Sequence, residues 1–489
     1  MHRLLFVLGS VLLVLGLAPA GAGGAASSSG TRYIVVLAGT PTKSGFQLAG
    51  TRDAALALVH SADGVVANDL SRQIGVLVAE SSSPLFAATL ETSGLVEEVG
   101  ADFAVKAIPS AAEMQAAAAA GGGPEPSADP LEPLQWDMQQ IRAPQAHARQ
   151  AGWRAVDVGI LDSGIDGRHV DFQDPLGGGT NVDCSRGRNS IAFLPGGPGV
   201  GNPDPCTDNQ FHGTHVAGTV AAQANGVGVV GVAPNVTLVP VKVCDASGLC
   251  YASAAVDGIT YAGDEQFDVV NMSFFVDDDE FQESTEFKCM DDPVQKSFRQ
   301  AVERAIQYAR NRGVTPVAAL GNSDEDLAHP SEPNENNCDV VPAETQGVVG
   351  TGALGSRSEK ASYSNYGTGA TDVAAPGGNG TTGDCTTTVL STLPGDAYGC
   401  IQGTSMASPH AAGVAALIVS QFGTLGADGD VKLSPTTVEN YLQATAVDIG
   451  LAGYDECFGN GRIDALRAVL HQTATAYDAS APFCPEYTE

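Results

Sequence analysis

From Val156 onward, apolar β-branched runs alternate with helical ones, and this alternation restricts the available folds more than anything else in the chain. The runs read VDVGILD, HGTHVAGTVAA from His212, VTLVPVKVC, ASAAVDGITYAG, FDVVNMSFF, the amphipathic QKSFRQAVERAIQYARNRG, VTPVAAL, VVGTGAL and a small-residue helix after Ser405. Strands that are apolar along their whole length must be covered on both sides, and intervening helices supply the cover. The pattern predicts an α/β architecture, a parallel sheet flanked by helices on both faces. Sites in such sheets lie outside the carboxyl ends of the strands. Asp162 ends one predicted strand, while His212 and Ser405 begin predicted helices, so one rim can gather all three.

A serine hydroxyl is a poor nucleophile in water and needs a general base, an exposed position and donors for the oxyanion. Ser405 lies in GTSMASPH, Gly403 to His410, where glycine permits a tight turn and the following AAGVAALIVS reads as a buried helix. A helix N-terminus favours developing negative charge. Pro409 is expected near the first turn, where a missing N–H does least harm. The plainer reading of Ser405 is a helix N-cap. Against it stand two upstream partners, Asp162 and His212, which complete an Asp, His, Ser order along the chain.

ILDSG, HGTHVAG and GTSMASPH, in that order and with glycine-rich flanks, resemble the subtilisin family of serine peptidases over roughly Leu131 to Val469. The resemblance implies that Ser405 attacks a peptide carbonyl, that His212 takes the proton and returns it to the leaving amine, and that Asp162 fixes the imidazole tautomer. It places Asn322, in VAALGNSDED, where the family's AGN motif donates a side-chain amide to the oxyanion, with the Ser405 N–H as second donor. His215 suggests a metal pair, but the HExxH pattern is absent and it reads as a structural helix residue. The family pairs substrate backbone with a strand reading NMSLGG; here it reads NMSFFVDDDE. Ser273, Phe274 and Phe275 would form one wall of the substrate site and Ala319, Leu320 and Gly321 the other, with one pocket narrowed or reshaped by the phenylalanines. Calcium is the implied cofactor. Glu132, Asp171 and Asn225 fall at the family's side-chain ligand positions, with backbone carbonyls from 224–229 as the rest; Glu132 stands where Gln is usual, and Gly226 replaces a larger residue.

Residues 1–20, MHRLLFVLGSVLLVLGLAPA, have the basic start, apolar middle and small-residue end of a secretory signal peptide, with cleavage points extending to about 26. Residues 31–109 read as a small α+β module, which the resemblance implies is an inhibitory propeptide acting on its own enzyme; the alternative is a permanent N-terminal domain. A linker at 110–130, rich in Ala, Gly and Pro, would hold the maturation site, and the catalytic domain would run over 131–489. The formal net charge of −32, from 56 acidic and 24 basic residues, repels nucleic acid and anionic membranes. The acidic run 277–292 would favour Lys or Arg in substrates if it lies at the cleft edge, and is otherwise a solvated loop. All ten cysteines fall between Cys184 and Cys484, and pairing of neighbours gives Cys184–Cys206, Cys244–Cys250, Cys289–Cys338, Cys385–Cys400 and Cys457–Cys484. The expectation is a secreted, autoprocessed, monomeric serine endopeptidase acting on proteins and peptides. A catalytically silent binding or scaffold protein and a serine esterase are the alternatives.

Overall fold

The structure, a computed structural model, describes residues 30–106, 129–174, 178–191, 204–275, 292–328, 339–427, 429–482 and 484. The expected signal peptide, most of the linker, the acidic run as far as residue 291, and Cys289 and Cys338 lie outside these residues.

The N-terminal module is a four-stranded antiparallel sheet of β1 (Thr31–Leu37), β2 (Gly64–Leu70), β3 (Val76–Ser81) and β4 (Val96–Ala101), in the order β2-β3-β1-β4. One face packs Val35, Leu37 and Leu77 against Val59 of α1 (Arg52–Ser61) and Phe86 and Leu90 of α2 (Phe86–Glu91). The strand β2 escapes a propensity reading because Asn68 and Asp69 are poor strand formers; it forms as an edge strand, bulged between Val66 and Asn68. A two-residue strand, β5 (Ala104–Val105), follows β4.

Seven strands build the main sheet: β6 (Asp157–Asp162), β7 (Arg188–Asn189), β8 (Thr237–Lys242), β10 (Val269–Met272), β11 (Thr315–Ala319), β12 (Val349–Leu354) and β13 (Val373–Pro376). Their order is β13-β12-β11-β10-β6-β8-β7, and every pairing is parallel. Side chains alternate between faces, as a pleated strand requires. Val269 and Val317 enter the core shared with α4 (His212–Ala221) and α7 (Thr404–Phe422), while Val270 and Ala318 face α5 (Ala252–Glu265) and α6 (Pro293–Asn311). A hairpin of β14 (Val389–Leu393) and β15 (Ala397–Ile401) leads into α7. Four of the expected disulfides are present, Cys184–Cys206, Cys244–Cys250, Cys385–Cys400 and Cys457–Cys484.

The free face of the small sheet packs Ile34, Val36 and Val76 into the α5–α6 side of the main core, beside Phe298 and Ala301. Polar contacts orient the two units. Asp102 caps α5, accepting from Ser253 N at 2.9 Å and Ser253 Oγ at 2.5 Å. Beyond it, β5 pairs antiparallel with β9 (Cys250–Tyr251), Val105 opposite Cys250.

Candidate active site

Asp162 is the last residue of β6 and His212 the first of α4. The helix can begin this close to the strand end because residue 213 is glycine; a Cβ there would lie 2.1 Å from the Gly164 carbonyl oxygen. His212 Nδ1 sits 2.9 Å from both Asp162 oxygens, and both side chains are fully buried. Carboxylate acceptors around Nδ1 hold the ring proton there and leave Nε2 as the basic lone pair. Nε2 is buried and has no hydrogen-bond partner among the described residues, Ser405 Oγ included. Contacts of this kind are commonly loose without substrate and tighten in the reacting complex.

Ser405 occupies the second position of α7, and Pro409 is its sixth residue, inside the helix rather than at the expected first turn. A proline there removes the N–H that would bond the carbonyl four residues earlier, which is that of Ser405. Ser273 Oγ fills the gap, lying 2.9 Å from the Ser405 carbonyl oxygen, and is itself 2.9 Å from Ser408 Oγ. Asn271 Nδ2 donates to the same hydroxyl at 2.8 Å. Proline and buried serine together anchor the turn that carries Ser405.

The carboxamide of Asn322 has its polarity set by Thr404. Its Oδ1 accepts from Thr404 N and from Thr404 Oγ1, each at 2.9 Å, so Nδ2 is the group left to donate outward from an exposed side chain. The preceding Gly321 adopts φ +109°, which side chains disfavour, and donates from its N to Thr404 Oγ1 at 3.2 Å. His215 lies inside α4 with Nε2 3.2 Å from the carbonyls of Val389 and Gly399, and burial pushes its pKa down to about 3. It is a neutral donor tying α4 to the β14–β15 hairpin.

Of the two predicted substrate walls, Ala319 ends β11 with Leu320 and Gly321 just beyond it, and Ser273 to Phe275 follow β10. Ser273 and Phe274 are buried, Phe274 within the core; Phe275 alone of the pair is partly open.

The residues read as calcium ligands surround the 224–229 loop. Asp171 is fully buried, and its Oδ1 has no hydrogen-bond partner among the described residues, while Oδ2 accepts from Val229 N at 3.0 Å. Burial, with the Asp129 charge adding to it, pushes the Asp171 carboxyl up to about 8. Glu132 is raised by burial and by the same neighbour. Asn225 is turned inward, its Oδ1 accepting from Val227 N and its Nδ2 donating to the carbonyls of Val170 and Gln173. No three His, Cys, Asp or Glu side chains gather as a ligand set among the described residues.

Two residues escaped sequence reading. Asp129 Oδ1 accepts from the backbone N–H groups of Asn225, Gly226 and Val227 at 2.9, 2.8 and 3.2 Å, clamping the segment before Glu132 onto the loop. Asp137, in α3 (Trp136–Gln140), has Oδ2 3.0 Å from His410 Nε2, and both side chains are fully buried. Nothing local in the turn, which reads QWDMQQ, tied Asp137 to a histidine 273 positions away.

A model of the subtilase family, Peptidase_S8, matches residues 154–461. Subtilisin DY of Bacillus licheniformis is 35% identical over 324 residues, 66% of this chain and 94% of that protein. Subtilisin Savinase of Lederbergia lenta is 32% identical over 330 residues, 68% of this chain and 96% of that protein. Among solved structures, the epidermin leader peptide processing serine protease of Staphylococcus aureus aligns with TM-score 0.67 at 20% identity, covering 92% of this chain and 100% of that one. That share is larger than residues 131–489 can supply, so the likeness in fold extends into the small N-terminal module. A lanthipeptide protease aligns with TM-score 0.55 at 26% identity, covering 68% of this chain and 93% of that one.

Proposed function

The chain belongs to the subtilase family of serine peptidases, and from that premise we propose that it is a secreted endopeptidase, made as a precursor and matured by its own activity. The observation that carries the reading is the buried Asp162–His212 pair, 2.9 Å apart, with an unpartnered Nε2 at the rim where α7 presents Ser405. Ser405 Oγ attacks the peptide carbonyl as His212 Nε2 takes its proton. Asp162 keeps the other ring nitrogen protonated and stabilises the imidazolium. Asn322 Nδ2 and the Ser405 N–H receive the oxyanion. His212 then protonates the leaving amine, and a water molecule, deprotonated by the same nitrogen, hydrolyses the acyl-enzyme.

The N-terminal module acts as the inhibitory propeptide. Its support is positional: β5 pairs with β9, and Lys106 Nζ donates to the Ser247 carbonyl at 2.7 Å, so the module's C-terminal tail lies along an edge of the catalytic unit. Secretion rests on residues 1–20. Calcium fits the 224–229 loop through Asp171, whose Oδ1 is buried with no hydrogen-bond partner among the described residues, and through Glu132, whose charged neighbour Asp129 is bonded to that loop. Bound there, the ion would neutralise carboxylates that burial otherwise penalises and tie the 129–132 segment to the loop.

The test is parallel expression of the full precursor and of Ser405→Ala, following precursor size and cleavage of a mixed peptide library. The wild type should shed about 80–110 residues beyond its signal peptide and cut peptides, while the variant stays a stable precursor. Identical maturation of both, with neither cutting peptides, would remove the reading.

A further inference from the structure

β10 and β11 run side by side, Met272 opposite Ala318, and each continues past its end into a segment that touches the nucleophile turn. From β10 comes Ser273, hydrogen-bonded to the Ser405 carbonyl; from β11 come Gly321, bonded to Thr404 Oγ1, and Asn322, bonded to Thr404 N. An acyl group on Ser405 whose oxygen points to Asn322 therefore sits at the mouth of the space between these two segments. The side chain on the acyl side of the scissile bond has that space to enter.

The space is already furnished from within. Leu320 is fully buried and Phe274 is 2% exposed, so both walls are backed by packed core. Phe275 lies on the same cluster, and its ring crosses toward the opposite wall: a Cβ built on Gly321 would stand 3.6 Å from Phe275 Cδ2, ordinary van der Waals contact. The phenyl ring thus reaches from one wall to Gly321 of the other.

We propose that Phe275 closes the acyl-side pocket, so that the enzyme cleaves after small residues (glycine, alanine or serine) and rejects aromatic and long aliphatic ones at that position. The inference rests on the peptidase reading above and adds to it a substrate class. Misfit of a single methylene in an apolar pocket is worth roughly 10–200-fold in kcat/KM, and a phenyl or isobutyl group exceeds alanine by several carbons. Discrimination between alanine and phenylalanine should therefore reach at least about 100-fold.

The matured enzyme is assayed on a peptide library varied only at the acyl-side residue, with Ser405→Ala as the blank. Wild type should favour alanine over phenylalanine and leucine by about 100-fold or more. Phe275→Gly and Phe275→Ala should each shift that ratio toward the large residues by more than about tenfold. Wild-type cleavage after phenylalanine or leucine at rates near those after alanine overturns the pocket inference and leaves the peptidase reading standing. So does an unchanged ratio in a folded Phe275 variant. If no peptide is cut in a Ser405-dependent way, the peptidase reading falls and takes this inference with it.

Discussion

The Asp137–His410 contact can be tested as the pin that fastens α3 to α7, the helix that carries Ser405. His410 Nδ1 lies 2.7 Å from the Met406 carbonyl, which can only accept, so Nδ1 carries a hydrogen. At the other nitrogen, 3.0 Å from Asp137 Oδ2, a second hydrogen must lie between the two groups. It belongs either to an imidazolium facing a carboxylate or to a carboxylic acid facing a neutral ring; without it two lone pairs would oppose each other in the core. Asp137→Ala leaves the histidine buried without its partner, a change that typically costs about 3–5 kcal/mol. Asp137→Asn keeps the shape and can donate from its amide to a neutral Nε2, so about 1–2 kcal/mol is expected. A chain of this size loses roughly 2 °C per kcal/mol. The alanine variant should melt roughly 6–10 °C lower, and the asparagine variant about 2–4 °C lower. Scanning calorimetry in a Ser405→Ala background avoids autolysis. An alanine variant within about 2 °C of its parent, or equal losses in the two variants, would refute the shared-proton reasoning.

Asn322→Ala should lower kcat by about 10²–10³, because it removes one proposed oxyanion donor; steady-state kinetics on a peptide substrate checks this. Asp268 is buried, which raises its carboxyl to about 8, with the Asp430 and Asp157 charges adding. The native state therefore holds a proton that the unfolded chain has released above pH ~3.9. That contribution to stability is complete below the unfolded pKa and is lost as pH rises through about 8. Asp268→Asn should flatten the decline, which denaturant melts at several pH values would reveal, and matching slopes in the two proteins would contradict it. Calcium at 100 times its Kd should stabilise the protein by about 2.7 kcal/mol; chelation should reverse this, and Asp171→Asn should abolish the increment in calorimetry. The Cys385–Cys400 bridge, with a sequence separation of 15, constrains β15 as it leads to Ser405 and is worth about 3 kcal/mol. Mild reductant should cost peptide cleavage before near-ultraviolet dichroism changes; simultaneous loss would count against a local role.

Much of the architecture is legible because it is periodic. Strands such as VDVGILD are apolar on both faces, and only a doubly covered parallel sheet can bury them. The order of Asp162, His212 and Ser405 is legible because each stands at the junction of an element and a turn, where local residue types declare the boundary. Asn322 follows for the same reason, placed after a strand and a glycine.

Other features depend on which distant elements meet. Pro409 is visible in the sequence, but the serine that satisfies the carbonyl it frees lies 132 positions from Ser405. Asp129 and Asp137 are ordinary acidic residues until folding lays one against three loop amides and the other against His410. Phe274 and Phe275 are chemically identical neighbours, yet the first is core and the second spans to Gly321. Sequence alone determined most of the main-sheet elements and which residues stand at their ends, since backbone periodicity and turn preferences act over a few residues. Tertiary structure alone decided the partners of buried polar groups and which of the two phenylalanines joins the core, because close packing juxtaposes side chains that no local rule connects.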